Sequence, residues 1–227
     1  MIFKQVFCKK FSSYTYLIGS RSDGEALIID PVLENTNEYI KILNELNLKL
    51  VKVVDTHIHA DHVTGASKLK EKTNCVTIMG ENSPSELVQL KVKDNEIIKV
   101  DGLNIKTMYT PGHTSDSYSF LLKNHVFSGD TLLINGTGRT DFQNGNAEDS
   151  YKSIFEKLLK LPEDTLLYPA HDYNGQTVSS IGKEKKFNPR LQVKGMDQYI
   201  DIMNNLNLSK PKEMDETISR NLVLGSI

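Results

Sequence analysis

The chain has 227 residues, of which 38% are hydrophobic and 25% are charged, and its formal net charge is -2. This composition is typical of a globular protein, and the chain is long enough to bury a core that needs neither disulfides nor a structural metal. Because 27 Lys and Arg are balanced by 29 Asp and Glu, the composition excludes a general attraction to nucleic acid or to an acidic membrane. We therefore expect no nucleic-acid partner and no membrane partner.

The cysteines and the first residues predict the compartment. Cys8 and Cys75 are far apart and form no paired spacing, which is typical of a protein in a reducing compartment. The first residues alternate as strands do, and they lack both the apolar run of a signal peptide and the Arg-rich pattern of a transit peptide. No window of the sequence is apolar over a membrane-spanning length. We therefore expect a cytoplasmic protein.

The first part of the chain alternates short apolar segments with turns. Residues 2–7, 14–19 and 25–30 predict a β-meander. Residues 37–48 predict a helix with its leucines and Ile40 near one face, and residues 50–54 predict a valine-rich strand. A second helix is predicted over 62–72.

A second run of short strands follows this helix, near residues 76–79, 96–100, 103–109, 117–122 and 125–128, and it predicts a second sheet. An amphipathic helix over 150–160, a strand over 165–168 and a helix over 196–205 come next. The segment after Pro211 is rich in Lys and Glu, so we expect a short solvated extension over about 209–227.

Two runs of strands with helices beside each run predict a definite fold class. Each sheet must bury one face against the other sheet and its second face against helices. The sequence therefore predicts an α/β protein, a four-layer αββα sandwich, and we expect residues 1–227 to form a single domain.

Three of the six histidines lie in one heptapeptide, Thr56 to His62 (THIHADH), directly after a predicted strand. Alternate residues of an extended segment point the same way, so His57, His59 and Asp61 can converge. A turn into the next helix would change the direction of Asp61 and His62. Imidazole nitrogen and carboxylate oxygen suit zinc, iron or manganese. The alternative is a solvated polar loop in which Asp61 caps the following helix.

Two further histidines and an aspartate follow other predicted strands. His113 lies in Pro-Gly-His-Thr, His171 in Pro-Ala-His-Asp-Tyr, and Asp130 in Ser-Gly-Asp-Thr. Each of these motifs alone would be weak evidence for a metal site. A lone histidine is more often structural, and an aspartate after glycine is commonly a turn residue. Together with the heptapeptide they indicate one metal centre. His125 lies outside this set and is interpreted as a surface or hairpin residue.

These motifs, HxHxDH, GHT, GD and AHD in that order, resemble the metallo-β-lactamase superfamily over nearly the whole chain. The resemblance implies the αββα sandwich of that superfamily. It also implies one metal position drawn from His57, His59, His113 and Asp130. A second position is then drawn from Asp61, His62, Asp130 and His171. The shared signature does not choose between one metal and two, or between hydrolysis and oxidation.

Motifs outside that signature resemble the persulfide dioxygenases, also called sulfur dioxygenases or ethylmalonic encephalopathy protein-like enzymes. These motifs are GTGRTDFQ at 136–143, YPAHDY at 168–173, NPRL at 188–191 and NNLNL at 204–208. The resemblance implies one Fe(II) per chain, held by His57, His113 and Asp130. It also implies an oxidoreductase that converts glutathione persulfide and O2 to sulfite and glutathione, and it points to a homodimer. Animal members carry a cysteine near the C-terminus that this chain does not have at 220–225.

The implied ligand set is chemically reasonable for this reaction. Two histidines and one carboxylate on one face of an octahedral iron leave open positions for a substrate sulfur and O2. On this hypothesis His59, Asp61, His62 and His171 orient the ligands and hold water, or else form a second metal position.

Glutathione carries two carboxylates, and arginine pairs with carboxylates in a bidentate way that lysine does not. By resemblance, Arg190 and Tyr173 are candidate glutathione contacts, although Arg190 could instead fix the loop after Pro189. Arg139 is a third candidate, but an ion pair with Asp141 that supports the Asp130 loop is the favoured interpretation.

Two other functions remain open at this point. The first is a glyoxalase II-type hydroxyacylglutathione hydrolase, with two zinc ions bridged by Asp130 and a hydroxide that attacks a thioester. Enzymes of that type usually lack the Arg-Thr-Asp-Phe-Gln run and have a longer C-terminal helical domain, for which we expect this chain to be too short. The second is a metal-binding or sulfur-carrier module that performs no turnover.

Overall fold

Two six-stranded sheets form the centre of the molecule in the computed structural model, which describes residues 1–210 and 213–226. The first sheet contains, in chain order and in spatial order, β1 (Ile2–Cys8), β2 (Ser13–Gly19), β3 (Glu25–Ile29), β4 (Lys49–Val54), β5 (Val76–Gly80) and β6 (Leu90–Val92). β1, β2 and β3 pair antiparallel, whereas β3 to β6 pair parallel. The predicted β-meander is therefore confirmed.

The second sheet is mostly antiparallel. It contains β7 (Ile97–Val100), β8 (Leu103–Tyr109), β9 (Tyr118–Leu122), β10 (His125–Gly129), β13 (Leu166–Pro169) and β14 (Ser179–Ser180). A two-stranded hairpin, β11 (Leu132–Leu133) and β12 (Gly136–Thr137), follows β10. The spatial order is β14-β13-β10-β9-β8-β7, and β10 and β13 form the parallel pair. Their carboxyl ends therefore meet at one edge.

The helices divide into two groups by the sheet that they cover. These helices are α1 (Thr36–Glu45), α2 (Ala66–Thr73), α3 (Ala147–Tyr151), α4 (Ile181–Phe187), α5 (Met196–Asn204) and α6 (Met214–Leu222). The apolar residues of α1, α2 and α6 pack with the outer face of the first sheet. Those of α3, α4 and α5 pack with the outer face of the second. The helical backbone continues from α3 through Lys152–Lys157 and Leu158–Lys160.

The main core lies between the two sheets. Ile18, Leu27 and Ile29 of the first sheet meet Phe120 and Phe127 of the second. Alternate residues of the same strands face outward, so that β2 and β3 also contribute to the core beneath the helices. These layers confirm the predicted four-layer αββα sandwich.

Several predictions about the fold need correction. Strand β5 lies in the first sheet because α2 is a crossover that returns the chain parallel to β4. The helix predicted over 62–72 begins only at Ala66, with Gly65 as its N-cap, so Asp61 caps no helix. Four strands, β6, β11, β12 and β14, and helix α4 have no counterpart among the predicted elements.

The prediction of a solvated tail is wrong for residues 213–226. Helix α6 buries one face, with Met214, Thr217 and Asn221, while its charged residues face outward. Residues 211, 212 and 227 lie outside the described part of the chain. That residues 1–227 form a single domain stays a prediction. Among the described residues, no helix is long and apolar enough to span a bilayer.

Candidate metal centre

The predicted site residues meet at one edge of the two sheets. His57 follows β4 of the first sheet, whereas His113, Asp130 and His171 follow β8, β10 and β13 of the second. Gly129, at φ +54°, allows the end of β10 to approach the first sheet, since a Cβ there would lie 2.7 Å from Thr56 Oγ1. The fold therefore brings side chains from distant parts of the sequence to one place.

His57, His113 and Asp130 each offer one ligand atom, and these three atoms lie within 4.8 Å of one another. Nε2 of His57 is 4.0 Å from Asp130 Oδ2, and Nε2 of His113 is 3.7 Å from the same oxygen. The two imidazole rings are nearly perpendicular, with an interplanar angle of 88° and centroids 4.9 Å apart. The three atoms therefore converge on a common point.

Hydrogen bonds fix the tautomer of both histidines. Nδ1 of His113 donates to the carbonyl oxygen of Arg139 at 2.8 Å. Thr56 Oγ1 donates to Asp30 at 3.0 Å, so it accepts from His57 Nδ1 at 2.9 Å. Because each Nδ1 carries the proton, each Nε2 has a free lone pair directed to the common point.

The charge states of the group also suit a metal. Burial lowers the pKa of His57 well below its ordinary value, and the neighbouring His59 and His113 lower it further, so His57 is neutral. Burial alone would raise the pKa of Asp130, but the charge and hydrogen bonds of His171 outweigh it and hold the pKa well below the ordinary value. The set therefore contains a neutral His57 and an ionised Asp130.

His171 joins two carboxylates. Its Nδ1 donates to Asp130 Oδ1 at 2.8 Å, and its Nε2 donates to Asp61 Oδ2 at 2.9 Å. Burial opposes a charge on this ring, yet Asp130 and Asp61 outweigh burial and raise the pKa of His171 well above its ordinary value. His62 Nδ1 also donates to Asp61 Oδ2, at 2.9 Å. A charged imidazole thus orients the carboxylate of Asp130.

His59 belongs to a second buried group with Asp30. His59 Nε2 donates to Asp30 Oδ1 at 3.2 Å. Burial opposes protonation, but the charge and hydrogen bond of Asp30 raise the pKa of His59 to about 9. Among the described side chains, His59 Nδ1 and His62 Nε2 are buried polar atoms without a hydrogen-bond partner. With Asp61 they form another group whose ligand atoms lie within 4.8 Å.

The residues present therefore fit a metal held by His57, His113 and Asp130. Two imidazole nitrogens and one carboxylate oxygen are ligands that iron, zinc and manganese accept. Each ligand is oriented by a second hydrogen bond, as is typical of metal sites, through Thr56, the Arg139 carbonyl and His171.

Arg139 lies beside this centre and is fully engaged. Its Nε and Nη2 donate to the two carboxylate oxygens of Asp141 at 2.6 and 2.7 Å, which confirms the predicted ion pair. Its Nη1 and Nη2 also donate to the carbonyls of Ser209 and Leu208. The backbone of Arg139 meanwhile accepts from His113. The residue therefore supports the wall of the site.

Arg190 and Tyr173 differ from Arg139 in their surroundings. Nη1 of the half-buried Arg190 donates to the carbonyl and hydroxyl oxygens of Thr137, and in the described part of the chain the side chain forms no ion pair. The ring of Tyr173 is parallel to that of His171, with centroids 6.1 Å apart, and the residue is 72% exposed. Both residues are therefore open to a ligand.

Some residues that build the centre have no place among the predicted site residues. The unpredicted residues donate to or accept from the histidine loop and are Asp30, Thr56, Asp116, Gln143 and Asn221. Asp30 lies at the end of a predicted strand, as Asp130 does, and this position could have indicated that Asp30 belongs to the site. His125 lies at the start of β10 and stacks on Tyr168 in the main core, as expected of a hairpin residue.

Comparison with known proteins agrees with this architecture. A family model described as the metallo-beta-lactamase superfamily matches residues 9–171. The chain therefore belongs to the metallo-beta-lactamase superfamily, as its motifs predict.

Three relatives define its place within the superfamily. The chain is 40% identical to persulfide dioxygenase ETHE1, mitochondrial, from Homo sapiens, over 99% of this chain and 89% of that protein. The crystal structure of ETHE1 from Myxococcus xanthus is 45% identical and superposes with a TM-score of 0.97 over 100% of both chains. A hydroxyacylglutathione hydrolase from Dictyostelium discoideum is 33% identical over 71% of this chain and 62% of the hydrolase. Within the superfamily, the chain is a member of the persulfide dioxygenase family.

Proposed function

We propose that this protein is an iron-dependent persulfide dioxygenase that oxidises glutathione persulfide with O2 to sulfite and glutathione. One O2 and one water are consumed for each persulfide, and two protons are released with the sulfite. The observation that carries the proposal is the convergence of three ligand atoms, from His57, His113 and Asp130, within 4.8 Å. The family of the chain supports the reaction type.

One Fe(II) per chain is held by His57, His113 and Asp130 in this proposal. When bound, iron(II) supplies the centre at which a persulfide sulfur and O2 meet and exchange electrons. Nδ1 of each imidazole donates to Thr56 Oγ1 or to the Arg139 carbonyl, which leaves each Nε2 without a proton, and His171 keeps Asp130 ionised. These residues therefore present an unprotonated ligand set.

His59, Asp61, His62 and His171 act around the metal in this proposal. His171 orients Asp130, and Asp61 in turn orients His171. Both ring nitrogens of His171 thus donate to carboxylates. The specific observation in favour of a two-zinc hydroxyacylglutathione hydrolase is the pair of unpartnered atoms, His59 Nδ1 and His62 Nε2, beside Asp61.

Arg190 and Tyr173 bind the glutathione part of the substrate in this proposal. Arg190 is a half-buried cation that lies on Thr137, and Gly138 next to Thr137 packs on the His113 ring. A carboxylate bound by Arg190 is therefore held near the metal. Tyr173 offers an exposed aromatic face beside His171. The positive charge of Arg139 is neutralised by Asp141, so in this proposal Arg139 supports the wall of the site and does not bind the substrate.

The assembly and the location of the protein also remain proposals. A homodimer follows from the family resemblance alone. The cytoplasmic location follows from the sequence composition, and the human relative is named as mitochondrial.

Metal analysis followed by O2 uptake tests this function. We expect one iron per chain in anaerobically purified protein, and O2 uptake with sulfite formation when glutathione persulfide is added. His113→Ala should lose iron and O2 uptake together, whereas His125→Ala, a histidine outside the site, should keep both. About two zinc per chain, cleavage of lactoylglutathione and no O2 uptake would overturn the proposal in favour of the hydrolase.

A further inference from the structure

The histidine loop, residues 57–64, has little regular structure, and its backbone polar groups need partners from elsewhere. Buried backbone groups are nearly always hydrogen-bonded, and in a sheet or helix the neighbouring backbone provides the partners. In this loop distant side chains provide several of them. Asp116 accepts from Ile58 N at 3.0 Å, and Gln143 donates to Ile58 O at 2.6 Å. The shape of the loop is therefore set by residues far away in sequence.

Asn221 of α6 makes three such contacts. Its Nδ2 donates to the carbonyl oxygens of His59 and His62, both at 2.8 Å, and its Oδ1 accepts from Thr64 N at 2.9 Å. The residue is 1% exposed. Both amide hydrogens are used, so this one side chain joins the backbone at three positions of the loop.

The end of the chain is fixed against the same region by other contacts. Leu222 O accepts from Ser85 Oγ at 2.8 Å, and Leu224 O accepts from Ser67 N at 3.0 Å. Gly225 lies against the loop so closely that a Cβ there would be 2.1 Å from Thr64 O. Helix α6 is therefore docked on the first sheet with Asn221 directed into the histidine loop.

We propose that Asn221 is a positioning residue of the metal centre, and that docking of α6 is thereby coupled to metal binding. The inference rests on the proposed function only in requiring a metal at His57, His113 and Asp130. Asn221 holds the carbonyls of His59 and His62, which follow His57 by two and five residues in the same loop. Because coupling between two events is reciprocal, metal binding must also favour the docked position of α6.

Metal affinity of the metal-free protein tests the first half of this inference. Asn221→Leu keeps the approximate size of the side chain and removes all three hydrogen bonds. We expect Co(II), used as the probe, to bind about 10- to 100-fold more weakly, with a changed absorption spectrum. Ser219→Ala is the matched control, because Ser219 is exposed on the same helix and, among the described residues, its Oγ donates only to Asp215 O. It should leave affinity and spectrum unchanged.

Amide hydrogen exchange of the unmutated protein tests the second half and does not depend on a variant that folds. Adding Co(II) should slow exchange in residues 214–222, while exchange in α5, on the opposite outer layer, should stay the same. Unchanged exchange in α6, or unchanged Co(II) affinity in a folded Asn221→Leu variant, would overturn the inference. If the Asn221→Leu variant bound Co(II) with unchanged affinity and still consumed O2 with persulfide, the proposed function would stand and Asn221 would have no positioning role.

Discussion

Gly138→Ala should damage the metal centre by steric overlap alone. Gly138 lies between β12 and Arg139, where a Cβ would be 2.0 Å from the carbonyl oxygen of Asp130 and 2.9 Å from His113 Nδ1. Contacts under 3.0 Å are essentially never seen for a Cβ, so the first overlap alone amounts to about 1 Å, the difference between 3.0 and 2.0 Å. Because the main obstacle is backbone, the alanine cannot be accommodated by a side-chain rotation.

The magnitude follows from what that displacement moves. Overpacking of this kind costs about 1–3 kcal/mol of stability. A metal site tolerates deviations of about 0.2 Å in ligand distance, so a shift of Asp130 or His113 on the scale of the overlap prevents all three ligands from binding together. A misplacement of about 1 Å also lowers turnover by about 100-fold. Metal affinity and turnover should therefore both fall.

Gly136→Ala is the matched control for this prediction. Gly136 lies two residues away in β12, and the nearest atom to a Cβ there, Leu133 Cβ, is 3.9 Å away. Urea unfolding of the metal-free variants gives the stability, and metal titration gives the affinity. We expect Gly136→Ala to stay within about 0.5 kcal/mol of the parent protein. Equal stability and equal metal affinity for the two variants would refute the steric argument.

Three further predictions concern the ligands, the substrate and pH. Asp130→Ala should abolish iron binding and O2 uptake together, and full iron content with full turnover would contradict the assigned ligand set. Arg190→Ala should mainly raise the KM for glutathione persulfide, and unchanged kinetics would remove it from the substrate site. The unfolding free energy of the metal-free protein should fall as pH rises from about 6.5 to 9. The reason is that Asp30 raises the pKa of His59 in the folded state to about 9. The stability that the protonated ring contributes is therefore complete below the pKa of the unfolded state, and it is lost as the pH rises through the pKa of the folded state. His59 alone contributes about 3 kcal/mol to this change, and His171 acts in the same direction. Urea unfolding at a series of pH values measures it, and a flat profile would contradict the ion pairs.

The positions of the candidate ligands could be predicted because each follows a strand. A strand is recognisable from a few neighbouring residues, and the ends of strands meet at sheet edges whatever the details of packing. His57, His113 and Asp130 therefore come together as the sequence indicates. The wrong placement of β5 has a different cause, because membership of a sheet depends on the crossover through α2 and is absent from local periodicity.

The docked tail and its asparagine could not be predicted from local pattern. Residues 213–226 contain many charged side chains, which favours a solvated segment, but only one face of α6 is charged. Met214, Thr217 and Asn221 recur at helical spacing and were the available signal. That Asn221 reaches His59, 162 residues away, leaves no trace in either segment, since each hydrogen bond joins a common side chain to an ordinary backbone carbonyl.

The same long separation affects how the protein is made. The histidine loop is synthesised before the side chain that completes its hydrogen bonds, which follows His59 by 162 residues and His62 by 159 residues. Domains are synthesised from the N-terminus, and contacts between distant residues form late in folding. Until Asn221 has emerged, the carbonyls of His59 and His62 lack their partner, so the nascent chain can assemble its sheets before it can finish the loop.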